Sequence, residues 1–430
     1  MLVQHVFKQL KPYLNRPIYL AYSGGLDSHV LLHLLSQLQQ QQPFDLSAIH
    51  IHHGINKNAD RWANHCVDCC QQLAIPCHIK KVQLTTQKQH GLEAAARVAR
   101  YQALQQAVPA NALIVTAQHQ HDQSETLLLQ LFRGAGSKGL SAMPVIKPLG
   151  HALLLRPLLT VCQQTLQDYA KSQPLNWIED DSNDDLRFDR NFLRHRILAP
   201  LTQRWTSLHK TLSRVARQQA ENEQLLTELA QLDGANCYEK QRLVIPALLK
   251  LSSARQKNLI RYWLKQQHAP LPSYQQLQQL INTLQHNASD KQALHYAKTE
   301  IHRYRQQLYV FHQLPPRPKA VCLQWQIGTT LSLPYGTLKA SLQTGTGLYL
   351  PATTSLTIRF RQGGEKIYTH KQQQTLKNWL QKQAVPPWLR DFIPYVYADD
   401  KLLAVVGVVT DNRCTPPKDK QGWVLQWHIK

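Results

Sequence analysis

The sequence lacks the long apolar stretch that a membrane protein needs. No uninterrupted apolar run approaches the roughly 20 residues that span a bilayer, and the first residues show no signal-peptide pattern. Acidic residues are also scarce, because 27 Asp and Glu stand against 49 Lys and Arg and give a formal net charge of +22. A chain this basic favours a polyanionic partner. We therefore expect nucleic acid as the partner and the cytoplasm as the location.

Cysteine is too sparse for a disulfide framework, with eight residues in a chain of 430. Four of them cluster, at Cys66, Cys69, Cys70 and Cys77. The spacing of Cys66 and Cys69 allows a metal or cluster site. However, Trp62 and the first three cysteines share helical spacing, no second pair of cysteines follows, and free cysteine is commonly buried. Core packing is favoured, and metal binding stays the alternative.

The length predicts two or three domains, at a prior of roughly 150 residues each. A proline-rich segment at 315–318 reads as a linker. We expect domains at residues 1–215, 216–315 and 320–430. The middle region has mostly helical periodicity, with one strand predicted over 302–311, and the last region alternates short strands with one helix.

The most informative stretch is a glycine turn between a predicted buried strand and a helix that starts at once. It consists of Ser23, Gly24, Gly25, Leu26, Asp27 and Ser28. Two successive glycines let the backbone adopt positive φ and approach a ligand, so that N–H groups, serine hydroxyls and a helix N-terminus face phosphate oxygens. The alternative is that the glycines only allow a sharp turn between strand and helix and bind no ligand.

Strands and helices alternate after this turn, which predicts a doubly wound parallel sheet. Ligands of such sheets bind beyond the carboxyl ends of the strands. We therefore expect the glycine turn, the loop with His52, His53 and Gly54, and residues 119–125 to converge on one crevice. The histidines there are expected to hydrogen-bond within their loops, with metal binding as the alternative.

Basic segments surround this expected crevice. Residues 133–140 form either a flexible loop over it or a simple mobile connection. An acidic run at 179–185 precedes arginines whose spacing of three and four suits phosphate contact, although an acidic loop that caps a basic helix is the alternative. These arginines are Arg187, Arg190, Arg194 and Arg196. A C-terminal basic surface, suited to RNA or merely solvated, comprises Arg359, Arg361, Lys366, Lys371, Lys377 and Lys382.

The glycine turn matches the SGGxDS loop of the PP-loop ATP-pyrophosphatase family, and no lysine follows the glycines as it does in kinase-type phosphate loops. Within that family, the chain resembles the tRNA(Ile)-lysidine synthetases more closely. Further matching stretches lie at residues 52–62, 93–101, 119–140, 176–196, 359–365 and 385–390.

The resemblance implies an adenine nucleotide hydrolase-like α/β domain, followed by a helical domain and a small α+β domain. It implies a ligase that uses ATP and Mg²⁺ and attaches free L-lysine to C2 of the wobble cytidine of a precursor isoleucine tRNA with the anticodon CAU. The cytidine is first adenylated, and AMP and pyrophosphate are released. A monomer and a homodimer are both compatible with this activity.

The resemblance also implies roles for individual residues. The six residues of the glycine turn, together with His52 and Gly54, bind ATP, and Asp27 is the expected magnesium ligand. Positive charge for pyrophosphate is available from Arg97, Arg100 and Arg194.

Asp122 and Glu125 suit deprotonation of lysine and binding of its ammonium group. They lie three residues apart and so share one helix face, although an N-terminal capping pattern is the alternative. Two other functions compete with the ligase: a tRNA thiolase that uses the cysteines, and an RNA-binding module with a relict nucleotide site.

Overall fold

The computed structural model describes residues 1–52, 54, 58–82, 92–179, 184–239, 242–286, 292–312, 322–333, 335–369 and 372–429. The chain divides into two compact units, Met1–Thr227 and Glu228–Lys430. The finer division at residues 1–215, 216–315 and 320–430 stays a prediction. Within the described residues, no helix combines the length and the apolar character needed to cross a membrane.

The first unit is built on a six-stranded sheet with the strand order β3-β2-β1-β4-β6-β5. All neighbouring strands are parallel except β5, which pairs antiparallel with β6 at the edge. The strands are β1 Ile18–Ala21, β2 Leu46–His52, β3 Cys77–Lys81, β4 Leu113–Val115, β5 Ile146–Leu149 and β6 Ala152–Leu155. The predicted parallel sheet is confirmed.

Helices cover both faces of this sheet, which explains why its central strands are continuously apolar. One face buries residues of α1, α2, α3 and α7, such as Leu10, Leu31, Cys66 and Leu166. The other face packs against α4 through Leu104. The helices are α1 Leu2–Leu10, α2 Leu26–Gln41, α3 Ala59–Gln72, α4 Leu92–Ala107, α5 Gln120–Phe132, α6 Ser137–Leu140, α7 Gln163–Ser172, α8 Asp189–Phe192, α9 Ala199–Arg204 and α10 Leu208–Cys237, the last of which continues into the second unit.

The middle region carries the expected helices and also a five-stranded antiparallel sheet that helical periodicity does not indicate. The segment predicted as one strand over 302–311 is a hairpin of two strands. Arg305 and Gln306 form its turn, with φ of 46° and 62°. Turns with positive φ usually contain glycine or asparagine, and neither occurs here. The elements are β7 Tyr238–Glu239, β8 Arg242–Val244, α11 Ile245–Leu249, α12 Ser253–Gln266, α13 Tyr274–His286, β9 Gln292–Tyr296, β10 Thr299–Tyr304 and β11 Gln307–His312.

The C-terminal region is the expected mixture of short strands with one helix. Its strands form sheets of five, three and two strands around a core that includes Trp325, Leu356, Leu380 and Tyr395. The elements are β12 Cys322–Gln326, β13 Leu331–Leu333, β14 Gly336–Thr344, β15 Ser355–Arg359, β16 Lys366–Thr369, β17 Gln372–Thr375, α14 Leu376–Lys382, β18 Tyr395–Ala398, β19 Lys401–Val405, β20 Val409–Thr410 and β21 Gln421–Ile429.

Candidate active site

The glycine turn connects β1 to α2 and requires glycine at its second position. Gly24 has a φ of +86°, and its carbonyl accepts a 2.9 Å hydrogen bond from the N–H of Ile178. A Cβ atom at Gly24 would lie 2.5 Å from Cδ1 of Ile178 and 3.0 Å from Sγ of Cys66. Because both the backbone angle and the space exclude a side chain, the loop is held tightly against the chain around Ile178.

The two serines of the turn are bound to the turn itself. Ser23 Oγ lies 3.0 Å from Ser28 Oγ, and Ser28 Oγ donates to the carbonyl of Gly25 at 2.9 Å. Gly25 is the N-cap of α2 in an extended conformation, and as a glycine it has no side chain to cap the helix. The first N–H groups of α2, from Leu26 onward, are therefore oriented toward the loop, which is the geometry of an anion site.

Asp27 and Asp122 meet at a buried histidine. His119 Nε2 lies 3.4 Å from Asp27 Oδ2 and 3.6 Å from Asp122 Oδ2. Asp27 stands in the first turn of α2, and His119 is the N-cap of α5. These helices follow β1 and β4, which are neighbours in the sheet, so the two loops converge as the parallel topology requires.

The N-terminus of α5 orients the His119 ring. The N–H of His121 donates to His119 Nδ1 at 3.1 Å, and the N–H of His119 donates to Asp122 Oδ2 at 3.0 Å. With Nδ1 as acceptor, the proton of the neutral ring is on Nε2, which faces the two carboxylates. Burial lowers the pKa of His119, but Asp122 and Asp27 outweigh burial, and the pKa lies above its ordinary value. Asp122 thus caps the helix and also belongs to the charged cluster.

Glu125 is buried beneath this cluster and is paired with two arginines. Its side chain is only 1% exposed. Arg194 donates to both carboxylate oxygens, from Nε at 2.7 Å and from Nη2 at 3.2 Å, and Arg190 Nε lies 3.1 Å from Oε2. Arg194 Nη2 also lies 3.9 Å from Asp122 Oδ1. Glu125 therefore fixes the position of the Arg194 guanidinium next to Asp122.

The two carboxyl groups of α5 have opposite pKa shifts. Burial raises the pKa of Asp122, but His119 and Arg190 outweigh it, and the net shift is downward. For Glu125, burial is the largest influence and raises the pKa in spite of the hydrogen bonds from Arg194. Asp122 is consequently the carboxylate that is more firmly ionised, and it is the better acceptor for an ammonium group.

A cavity of about 430 Å³ opens beside this cluster. Its wall includes Glu125 and Arg194, so a ligand in the cavity would meet the ion pair directly. The other lining residues are His119, His121, Gln163, His195, Leu198, Ala199, Thr202, Gln203 and His209.

Several residues predicted for the site lie in other contacts. Arg97 and Arg100 are exposed on α4, and the Arg97 guanidinium stands 5.4 Å from the centre of the Tyr101 ring. His52 Nε2 lies 3.1 Å from Asp60 Oδ1 at the end of β2. Gly54 has a φ of +66°. His53 is outside the described residues.

The sequence patterns place His119, Arg190 and Arg194 near the site but do not indicate which groups they contact. His119 was expected to hydrogen-bond within its loop, and its position between two carboxylates follows only from the topology. Arg190 and Arg194 were grouped as phosphate contacts, whereas both reach Glu125, more than sixty residues away along the chain. The capping box at the start of α5 was the available signal for His119, because it fixes the direction of the ring.

Asp27 fits the part of a magnesium ligand. Its Oδ1 atom is buried and accepts no hydrogen bond from any residue that the structure describes. A buried carboxylate oxygen without a donor is costly unless a cation or a ligand satisfies it. Magnesium prefers carboxylate and phosphate oxygens of this kind.

The cysteines do not enter this cluster. Cys66, Cys69 and Cys70 are buried on the single helix α3, as their spacing predicts, and none of the three lines the 430 Å³ cavity. A thiolase mechanism requires catalytic cysteines on the loops at the site, and these three residues do not provide them.

Comparison with known proteins covers nearly the whole chain. Family models match it as a PP-loop domain over residues 2–201, a TilS substrate binding domain over 243–309 and a TilS substrate C-terminal domain over 356–427. The tRNA(Ile)-lysidine synthase of Coxiella burnetii is 41% identical, with 96% of this chain and 93% of the relative covered. That of Serratia proteamaculans is also 41% identical, with 97% and 96% covered.

Proposed function

The chain belongs to the tRNA(Ile)-lysidine synthase family, and from this membership we propose that it ligates lysine to C2 of the wobble cytidine in an isoleucine tRNA with the anticodon CAU. In the first step O2 of the cytidine attacks the α-phosphate of ATP, and the bond to the β-phosphate breaks to release pyrophosphate. In the second step the ε-amine of lysine attacks C2, and AMP leaves with the oxygen. The lysine ε-ammonium must lose two of its three protons in the second step.

The glycine turn would bind the phosphates of ATP. The turn presents the N–H groups at the start of α2 and the hydroxyls of Ser23 and Ser28. It can be this tight because position 24 is a glycine. Backbone donors at a helix N-terminus stabilise negative charge that develops on phosphate oxygens. We assign binding of ATP to Ser23, Gly24, Gly25, Leu26, Asp27 and Ser28.

Asp27 would hold Mg²⁺ through its buried Oδ1 atom. A magnesium ion bound there would neutralise charge on the phosphates of the nucleotide. His119, between Asp27 and Asp122, keeps the two carboxylates from repelling each other.

Asp122 would bind the lysine ammonium group and accept its proton, whereas Glu125 would act through Arg194. Glu125 already receives two hydrogen bonds from Arg194, so it has little capacity left for a substrate amine. Arg194 lies at the cavity wall, where its charge would stabilise the adenylated intermediate or the departing AMP. One observation carries this proposal. His119 lies between the carboxylates of Asp27 and Asp122, beside the Arg194–Glu125 ion pair.

The second unit would contact the body of the tRNA. Lys366, Lys377 and Lys382 are exposed, as the +22 net charge suggests for a phosphate-binding surface. Arg359 pairs with Asp400, and Arg361 pairs with Asp391. Lys371 is outside the described residues. The cytoplasm, where tRNA, ATP and free lysine occur together, is the proposed location, and both monomer and homodimer are compatible.

Measuring the two steps separately tests these roles. Pyrophosphate release with tRNA and ATP reports adenylation, and labelled lysine in tRNA reports ligation. We expect Asp27→Asn to lose both activities, and Asp122→Asn to lose ligation by roughly 100-fold or more while adenylation falls much less, because general-base contributions are about 10²–10⁴-fold. Equal losses of both steps in Asp122→Asn would contradict the assignment of Asp122 to lysine.

A further inference from the structure

A second group of ligating side chains lies between the first turn of α2 and α3, separate from the Asp27 cluster. His29 follows the glycine turn by one residue, and His65 and Cys69 stand one turn apart on α3. One ligand atom from each of the three side chains lies within 4.8 Å of the other two. Cys69 Sγ is 3.4 Å from His65 Nε2. Imidazole and thiolate are the ligands that zinc selects in proteins.

The spacing of these atoms is close to that of a tetrahedral zinc site. Bond lengths of about 2.3 Å to sulfur and 2.0–2.1 Å to nitrogen place a sulfur and a nitrogen ligand about 3.6 Å apart. The distance between Cys69 Sγ and His65 Nε2 agrees with this value. Two nitrogen ligands of such a site lie about 3.3 Å apart. Atoms that are at most 4.8 Å apart must therefore approach by at most about 1.5 Å, which side-chain rotations provide.

The surroundings of His29 resemble the outer shell of a metal site. The Tyr22 hydroxyl lies 2.7 Å from His29 Nδ1 and orients the ring. Histidine ligands are commonly held in this way through their second nitrogen. His29 and Cys69 are both buried.

We propose that His29, His65 and Cys69 bind a divalent cation of the zinc type, with the fourth position open to water. His65 lines a cavity of about 450 Å³ together with Arg61, Trp62 and Trp177, which provides the route for the ion. The site joins α3 to the turn of α2 that carries Asp27 and Ser28. A bound ion therefore stabilises the helix start on which the ATP loop depends. It also differs from a site built on the CxxC pair Cys66 and Cys69, because only Cys69 of this pair takes part.

Cobalt titration of the metal-free, reduced full-length protein tests the site. Cobalt bound by a thiolate gives a charge-transfer band in the near ultraviolet, whereas weak binding to other histidines does not. We expect one equivalent of Co²⁺ with this band, its displacement by Zn²⁺, and a higher melting temperature with Zn²⁺. In Cys69→Ser the band disappears, and in the matched control Cys70→Ser, a buried cysteine outside the trio, it remains.

His65→Gln provides a second variant. Because His65 is only half-buried, we expect this variant to fold. Its affinity for Co²⁺ should fall by more than the roughly 10–100-fold that loss of an outer-shell partner costs. Absence of the thiolate band in folded wild-type protein, or a band that survives in Cys69→Ser, overturns the proposal. In that case Cys69 and His65 form only a thiol–imidazole hydrogen bond.

Discussion

Replacement of Gly24 by alanine tests the tight geometry of the ATP loop. The residue has a φ of +86°, and an added Cβ atom would lie 2.5 Å from Ile178 Cδ1. A non-glycine residue at positive φ costs about 1–2 kcal/mol. Displacing the end of the Ile178 side chain adds about 1–2 kcal/mol, at the low end for overpacking because this atom can rotate. The expected loss is therefore about 2–4 kcal/mol.

The loss is measured as the melting temperature of the first unit, followed by tryptophan fluorescence in the full chain. For a unit of this size, about 2–4 kcal/mol corresponds to a drop of roughly 4–16 °C. Gly25→Ala is the matched control. Its Cβ atom would approach Ser23 Oγ only to 3.6 Å, at an ordinary φ of −74°. Alanine is less favourable than glycine at a helix N-cap, so Gly25→Ala should cost about 1 kcal/mol, which is less than the loss expected for Gly24→Ala.

The steric part of the loss is isolated in the Ile178→Val background, which lacks the Cδ1 atom. There Gly24→Ala should cost about 1–2 kcal/mol less than in the wild-type background. The backbone cost of about 1–2 kcal/mol remains, together with the 3.0 Å contact with Cys66 Sγ. Ile178→Val alone should cost about 0.5 kcal/mol, because the side chain is half-buried. The same loss in both backgrounds, or no difference between alanine at positions 24 and 25, would refute the reasoning.

Three other predictions follow from the charges. Arg194→Ala should destabilise the first unit by about 2–3 kcal/mol. This is less than the loss for a fully buried pair, because the Arg194 side chain is 36% exposed. The double variant Arg194→Ala, Glu125→Gln should lose less stability than the two single variants together, and additive losses in urea midpoints would contradict the coupling. Burial lowers the pKa of His209 from 6.5 to about 4. On acidification the unfolded chain therefore binds this proton before the folded protein does, and the free energy of unfolding falls as the pH drops from about 6.5 to 4. His209→Gln should flatten this part of the plot of stability against pH, and an unchanged plot would contradict the assignment to His209. Lys377→Gln with Lys382→Gln should weaken tRNA binding and lower its salt slope by up to about 2, with ATP binding unchanged; an unchanged slope would argue against this surface.

The parallel sheet could be predicted because its signals are local. Continuous apolar runs mark strands covered on both faces, and the alternation with helices leaves few other topologies. Convergence of Asp27 with Asp122 follows from the same reasoning, since both stand just after neighbouring parallel strands. Local sequence patterns were sufficient to predict which loops converge, because in a parallel sheet the order of the elements along the chain restricts their arrangement in space.

The contacts that give each residue its role were not predictable in this way. Arg194 reaches Glu125 across 69 positions of sequence, and only the path of the chain after α7 determines that the arginine faces a carboxylate. The hairpin turn at Arg305 and Gln306 was missed because its positive φ values fall on residues that give no turn signal. Spacing identifies which residues share a face of one element, but not the residue that they meet on another element.

The most direct test of the central claim is transfer of lysine to tRNA. Purified full-length protein is incubated with total tRNA, ATP, Mg²⁺ and labelled lysine, and the labelled tRNA is identified by sequencing. We predict label in a single minor isoleucine tRNA with the anticodon CAU, with one AMP formed per lysine and no label with Asp27→Asn. Absence of label in wild-type protein that binds both ATP and this tRNA would contradict the account.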